Sequence, residues 1–253
     1  MFDTLKSRIY QGEQFIKDIQ NAPMREQFRG FPIIENAKCS NCQKCLNVCP
    51  TGALKLNPIS IDMGKCTFCG ACKNVCETHA VDFSNFYKLT STDREKLIIT
   101  EDMSASDYEK VAIEVKKEIT SMFSKSLKLR QVSAGGCNGC EMELNACSNV
   151  NFDMGRFGID FVASPRHADG IVITGPISEN MAFALEDCYK SVPNPKIVIL
   201  CGACAISGGV FQESSTLNRE FLKKYPIDLY IPGCPVHPLT FINGILSYIQ
   251  DKK

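Results

Sequence analysis

"KCSNCQKCLNVCPTGAL" runs from Lys38 to Leu54, and "KCTFCGACKNVCETHAV" runs from Lys65 to Val81. Both read K-C-x-x-C-x-x-C-x-N-V-C-x-T-x-A, twenty-seven residues apart, so the chain contains an internal repeat. Short β-like stretches flank the two copies ("ALKLN", "PISIDM" and "AVDFS"), as a small two-fold unit requires. Around this unit the composition is even. The 28 basic and 28 acidic residues cancel, which excludes the basic excess of a nucleic-acid footprint. The richest apolar run, "KIVILCGACAI", is too short to span a membrane and is interrupted by Gly. The start, "MFDTLKSRIYQGEQF", has neither an apolar core nor a small-residue cleavage site, so no signal peptide is expected. The expected location is cytoplasmic, where abundant cysteine points to metal rather than disulfides.

The spacing C-x2-C-x2-C-x3-C is that of bacterial ferredoxins. Three cysteines within seven residues wrap one corner of a 4Fe–4S cubane, and the fourth reaches across to the other cluster. Cluster one is therefore expected on Cys39, Cys42, Cys45 and Cys76, and cluster two on Cys66, Cys69, Cys72 and Cys49. Pro50 follows Cys49 in the usual way, but Glu77 stands where the second copy would have its proline. The competing chemistry is a zinc-stabilised interaction scaffold. Zinc ribbons separate their C-x-x-C pairs by a dozen or more residues, unlike this packed run.

The rest of the chain divides by pattern. Residues 1–30 read as an amphipathic helical extension, with Phe2, Leu5, Ile9, Phe15, Ile16 and Ile19 at helical intervals. Residues 31–88 hold the two-cluster domain. Residues 89–126 read as a helical connector with Val111, Val115, Ile119 and Met122/Phe123 on one face. Residues 127–253 alternate strands ("LKLRQVS", "IDFVAS", "DGIVITG", "KIVILCG", "DLYIPG") with helical stretches near 141–149, 179–190, 214–224 and 239–250. Ile/Val-rich strands each followed by a helix predict an α/β fold with an open parallel, flavodoxin-like sheet.

Tracing the strand ends gathers more cysteines. Cys137 and Cys140 follow the first strand, Cys201 and Cys204 the fourth, and Cys234 the fifth. In open α/β sheets, ligands bind beyond the carboxyl ends of the strands. Glycines at 135, 136, 139, 202, 208, 209 and 233 let backbone approach a bulky cluster there. Cys147 and Cys188 fall on apolar helix faces and read as core thiols. Spacing alone leaves Cys201 and Cys204 in competition for one ligand position.

Five stretches resemble the small subunit of energy-converting (group 4) nickel–iron hydrogenases of the formate hydrogenlyase type. They are "GGCNGCEME", "GRFGIDFVASPRHAD", "VITGPISENM", "PNPKIVILCGACAISGGVF" and "DLYIPGCPVHP". The N-terminal part, with "MF" at its start and "FRG" before the first run, resembles that complex's separate ferredoxin-like subunit. The chain thus looks like a fusion of the two. The resemblance implies a third 4Fe–4S cluster, proximal to the nickel–iron site of a separate large subunit, on Cys137, Cys140, Cys204 and Cys234. The family's G-A-C motif matches Gly202-Ala203-Cys204 and so favours Cys204. The same fold serves the proximal-cluster subunit of respiratory complex I, where the first two ligands are adjacent cysteines. Here Asn138-Gly139 separates them, the hydrogenase form.

The resemblance also implies partners: the large subunit; formate dehydrogenase, CO dehydrogenase or ferredoxin as electron donor; and membrane subunits. The three spare cysteines cannot build a nickel–iron site, so catalysis is expected on another chain. The alternatives are a complex I-like quinone module and a hydrogenase-related complex without nickel–iron. Glu141 and Glu143 read either as first-turn acids favoured by the helix dipole or as a proton relay near the cluster. The resemblance places Arg166 and His167 in "SPRHAD" beside the third cluster, where they read either as donors to it or as an ion pair fixing a loop. His79 and His237 read as loop residues.

Overall fold

The computed structural model describes residues 2–114, 117–123 and 126–249. Phe2–Gln11 (α1) buries no side chain and stops at Gly12, whose φ of +66° no L-residue adopts readily. The helical extension expected over residues 1–30 therefore ends early. Residues 13–30 form an irregular strap held by tertiary bonds instead. The Ile16 amide donates to Asn151 O at 2.8 Å, the Asn243 side chain donates to Ile19 O at 2.9 Å, and Tyr87 OH donates to Gln20 O at 3.2 Å. Ile19 and Ala22 are buried by this docking.

The repeat folds as two matching halves. Pro32–Ile34 (β1) precedes Lys44–Asn47 (α2), and the hairpin Leu54–Lys55 (β2) with Ser60–Asp62 (β3) follows. Ala71–Val75 (α3) and Val81–Phe83 (β4) complete the second half, and β4 pairs antiparallel with β1. The left-handed backbone positions recur at the repeat spacing: Asn41 with Phe68, Gln43 with Gly70, and Gly52 with His79.

The expected connecting helix is interrupted. Ile98–Ile99 (β5) pairs with β3, and two short helices follow, Ala105–Val111 (α4) and Lys117–Phe123 (α5). The cause is local. Ser91 Oγ and Asp93 Oδ1 accept from backbone amides two residues on, which makes turns, and Leu97–Thr100 is β-prone. Of the expected apolar face, Phe123 is buried, Val111 and Met122 are exposed, and Val115 lies outside the described residues.

Five parallel strands follow: Leu127–Ser133 (β6), Ile159–Phe161 (β7), Gly170–Thr174 (β8), Ile197–Cys201 (β9) and Leu229–Ile231 (β10). They lie in the order β10-β9-β8-β6-β7. This is the doubly wound flavodoxin-like order, with its switch point between β6 and β8. Gly139–Ala146 (α6) and Pro238–Ile249 (α10) cover one face. Glu179–Ser191 (α7), Ala203–Ser207 (α8) and Glu220–Lys224 (α9) cover the other, so the helix expected near 214–224 is a single turn at its end. Side chains alternate accordingly: Ile171, Ile173, Val198 and Leu200 enter one core, and Val172, Ile197, Ile199 and Cys201 the other.

The two parts share a joint. Ser91 and Tyr230 exchange backbone bonds at 3.0 and 2.8 Å, extending the sheet's β10 edge. Thr90 packs so tightly on α10 that a Cβ at Gly244 would lie 2.2 Å from its Oγ1. One apolar cluster runs from Phe31, Ile61 and Leu97 to Ile173, Leu200 and Phe221, so the parts share a core.

Candidate iron–sulfur sites

In the repeat, the loop backbone aims amide N–H groups at sulfur. Asn41 N donates to Cys39 Sγ at 3.4 Å and Phe68 N to Cys66 Sγ at 3.3 Å. Ala53 N donates to Cys49 Sγ at 3.3 Å and Ala80 N to Cys76 Sγ at 3.2 Å. Each bond in one half has its counterpart in the other. Such donors stabilise thiolate and cluster sulfur. Cys39, Cys42, Cys45 and Cys76 line one pocket together with Leu56, Ile59 and Val81. Burial pushes the Cys66 thiol up to about 12, and the neighbouring Cys72, Cys49 and Cys69 add to the rise. The four cysteines of each expected set are thus brought together. Lys44 reaches across the repeat to Glu77 at 2.5 Å, so the residue standing for the missing proline joins the two halves by an exposed pair worth little.

At the sheet's carboxyl edge, burial pushes the Cys204 thiol up to about 11, and Cys234, Cys140 and Cys137 press the same way. Four cysteines from three loops therefore converge. The glycines explain how: a Cβ at Gly202 (φ +95°) would stand 2.7 Å from Cys140 Sγ, and one at Gly209 would stand 2.8 Å from Cys204 Sγ. Cys201 lies fully buried in the core and donates to Cys140, which holds Cys140 below the usual thiol range. Cys147 is buried beside Leu144 and pushed up to about 12 by desolvation. Cys188 is half-buried near Arg130.

The remaining expected residues separate. Glu141 Oε1 accepts from Ser133 Oγ at 2.7 Å and Thr174 Oγ1 at 2.6 Å, which ties α6 to the ends of β6 and β8. Glu143 is raised by burial and lines an open pocket with Cys69, Cys234 and His237. Arg166 and His167 sit exposed in a single turn between β7 and β8. The register sets the end of β7 and the start of β8 level with Leu129, four residues short of Ser133, or about 13 Å at strand rise. Neither side chain bonds to a cysteine loop among the described residues. His79 is an exposed turn residue at φ 51°. His237, read from sequence as a loop residue, is half-buried between the edges of Phe28 and Phe152. Arg29 is a contact the sequence did not single out. Its Nε donates to Phe68 O at 2.5 Å, and its stem lies over Gly70, capping the second cysteine loop.

Among the described residues no three His, Cys, Asp or Glu side chains are close enough to hold a single metal ion. A cubane takes its thiolates at separate corners, so its ligands stand farther apart than those around one ion. The donor set, the sulfur-directed amides and the glycine cradles all fit such a guest.

Two family profiles match the chain. One is the 4Fe-4S dicluster domain, over residues 31–77, and the other the NADH ubiquinone oxidoreductase 20 Kd subunit, over residues 137–248. The chain is 36% identical over 133 residues to the probable membrane-bound hydrogenase subunit mbhJ of Pyrococcus furiosus, covering 53% of this chain and 80% of that one. The chain belongs to this hydrogenase- and complex I-related family. Other members bracket it on both sides. Formate hydrogenlyase subunit 7 of Escherichia coli is 40% identical over 54% of this chain and 55% of its own length. An NADH-quinone oxidoreductase subunit of Citrifermentans bemidjiense is 42% identical over 45% of this chain and 65% of its own. As a family member with a dicluster domain, the chain is an iron–sulfur electron-transfer subunit of an oxidoreductase and carries 4Fe–4S clusters. No helix among the described residues is long and apolar enough to cross a membrane.

Proposed function

We propose that this chain is the relay subunit of a multi-subunit nickel–iron hydrogenase, holding three 4Fe–4S clusters. The ligand sets are Cys39/Cys42/Cys45/Cys76, Cys66/Cys69/Cys72/Cys49 and Cys137/Cys140/Cys204/Cys234, distributed over a two-cluster domain at 31–88 and a small-subunit-like domain at 127–253. The clusters supply one-electron transfer. The observation that carries the reading is the continuity of the cysteines. Cys45 of the first set lies close enough to Cys72 of the second to raise its thiol, and Cys69 of the second set and Cys234 of the third line one pocket. The order of relay is therefore first set, second set, third set.

The protein's part is positional. Arg29 and the strap cap the second loop, Glu141 anchors α6 against the sheet, and Gly202 gives Cys140 room. The third set faces a separate large subunit with the nickel–iron site, and no complete active site lies in this chain. Formate dehydrogenase, CO dehydrogenase or ferredoxin donates at the Cys42 end. Membrane subunits hold the complex on the cytoplasmic face. The Cys137-Asn138-Gly139-Cys140 spacing supports the hydrogenase reading. The likeness to the NADH-quinone oxidoreductase subunit supports a second, in which the relay ends at quinone.

The two are separated by isolating the native complex anaerobically through a tag on this chain. Nickel with H2-dependent dye reduction is the expected result. Iron with neither nickel nor H2 activity would move the terminus to quinone or another acceptor.

A further inference from the structure

Arg219 stands at the start of α9, and its guanidinium reaches back to the turn that carries Cys204. Nη1 donates to Pro176 O at 3.0 Å and to Cys204 O at 3.2 Å. Nη2 donates to Ala205 O at 2.8 Å and to Ile206 O at 3.0 Å. Three of these acceptors belong to α8, a helix of only five residues. The Cys204 carbonyl also accepts the Gly208 cap amide, whereas those of Ala205 and Ile206 lie at the helix end, where carbonyls lack a partner within the helix. A planar fork of fixed donors suits that task, and a lysine does not reproduce it.

All four acceptors are neutral carbonyls, and no Asp or Glu pairs with Arg219 among the described residues. The proposed ligand it touches is Cys204, whose own carbonyl accepts from Nη1, so the guanidinium lies against the residue that carries the sulfur. Arginine keeps its charge in proteins, so a permanent, uncompensated cation lies partly buried beside one ligand of the third site. The cations nearest the N-terminal sites differ: Arg29 is exposed and makes a single bond, to the Phe68 carbonyl of the second cysteine loop. Lys44 and Lys73 are exposed and already paired, with Glu77 and Asp82.

We propose that Arg219 is a positioning residue for the third cluster: it locks the Cys204 turn, and its unpaired charge raises that cluster's reduction potential above what the loop alone would give. Reduction adds one electron, and a nearby cation in a poorly screened site stabilises the more negative form. The electron is thereby drawn from the repeat toward the sheet edge. The inference rests on the reading that Cys204 ligates a cluster.

The test is an anaerobic, EPR-monitored potentiometric titration of the native complex carrying the parent chain, Arg219→Gln or Arg219→Lys. In Arg219→Gln, the third cluster's reduction equilibrium is expected to fall about tenfold, about 59 mV for one electron. Arg219→Lys keeps the charge and is expected to stay near the parent, with the other two clusters unmoved in both variants. An unshifted Gln variant overturns the proposal, as does a fall in the Lys variant. If the Gln chain does not assemble, Arg219→Met, also neutral, is titrated in its place with the same fall expected. Loss of the third cluster from both variants, with the other signals intact, also overturns it in favour of a purely structural role. A parent chain without a third signal would sink the proposed function, not the role of Arg219.

Discussion

The repeat and the sheet edge gather cysteines in opposite ways. In the repeat, each loop encodes its own shape: left-handed residues recur at the repeat spacing, amides two residues on donate to Cys39 and Cys66, and amides four residues on donate to Cys49 and Cys76. At the sheet edge the cysteines come from three loops between Cys137 and Cys234 and meet only because β6, β9 and β10 end together. A local site survives damage to its scaffold better than an assembled one. The sheet-edge site should therefore fail first.

The largest expected effect follows directly. Gly202→Val puts a side chain where Cys140 Sγ sits, at a φ of +95°. It should remove the third cluster, about four irons per chain, and leave the first two EPR signals in place. The matched change in the repeat is Gly52→Asn. A Cβ there meets nothing within 4 Å, and its counterpart His79 already adopts the same backbone. All clusters should remain. If Gly52→Asn loses a cluster and Gly202→Val does not, the contrast is wrong.

A smaller effect probes the joint between the regions. Buried Tyr108 on α4 donates to Leu89 O at 2.8 Å. Tyr108→Phe should cost about 1 kcal/mol in chemical denaturation. No change would mean that α4 does not brace the two-cluster domain. Within the repeat, Cys66 and Cys72 are buried, whereas no cysteine of the first set is. Burial disfavours the added charge, so the second cluster should titrate at a more negative potential than the first. The reverse order would break that link between burial and potential.

The smallest effect lies on the surface. Glu186 sits between Lys224 at 2.5 Å and Lys190 at 2.9 Å, and these bonds lower its carboxyl from 4.5 to about 2. A depressed folded-state pKa gives stability that is complete above about pH 4.5 and lost as pH falls toward 2. The difference between parent and Glu186→Gln should shrink across that window, and high salt should nearly erase it because the pair is exposed.

Legibility followed the same division. The eight cysteines of the repeat are readable from spacing because their loop geometry is local. The five strands are readable because a parallel sheet buries both faces and writes unbroken apolar runs such as Ile171–Ile173 and Ile197–Leu200. The order in which strands pair leaves no such trace, so spacing alone left Cys201 and Cys204 in competition, and one of the two readings of Arg166 and His167, taken from the resemblance, put them beside an edge their flanking strands do not reach. The strap over residues 13–30 shows the same gap: helical spacing of Phe15, Ile16 and Ile19 says nothing of the bonds to Asn151 and Asn243 that replace a helix. Arg219 gives no sequence signal at all, because its four partners are backbone carbonyls.

The central claim is that the assembled site holds a cluster as surely as the local ones do. Iron and acid-labile sulfide per chain, with EPR spin integration, on the anaerobically isolated native complex test it most directly, once iron held by the partner subunits is counted separately. Three four-iron clusters predict about twelve irons on this chain. About eight, with only the two repeat-borne signals, would contradict the account.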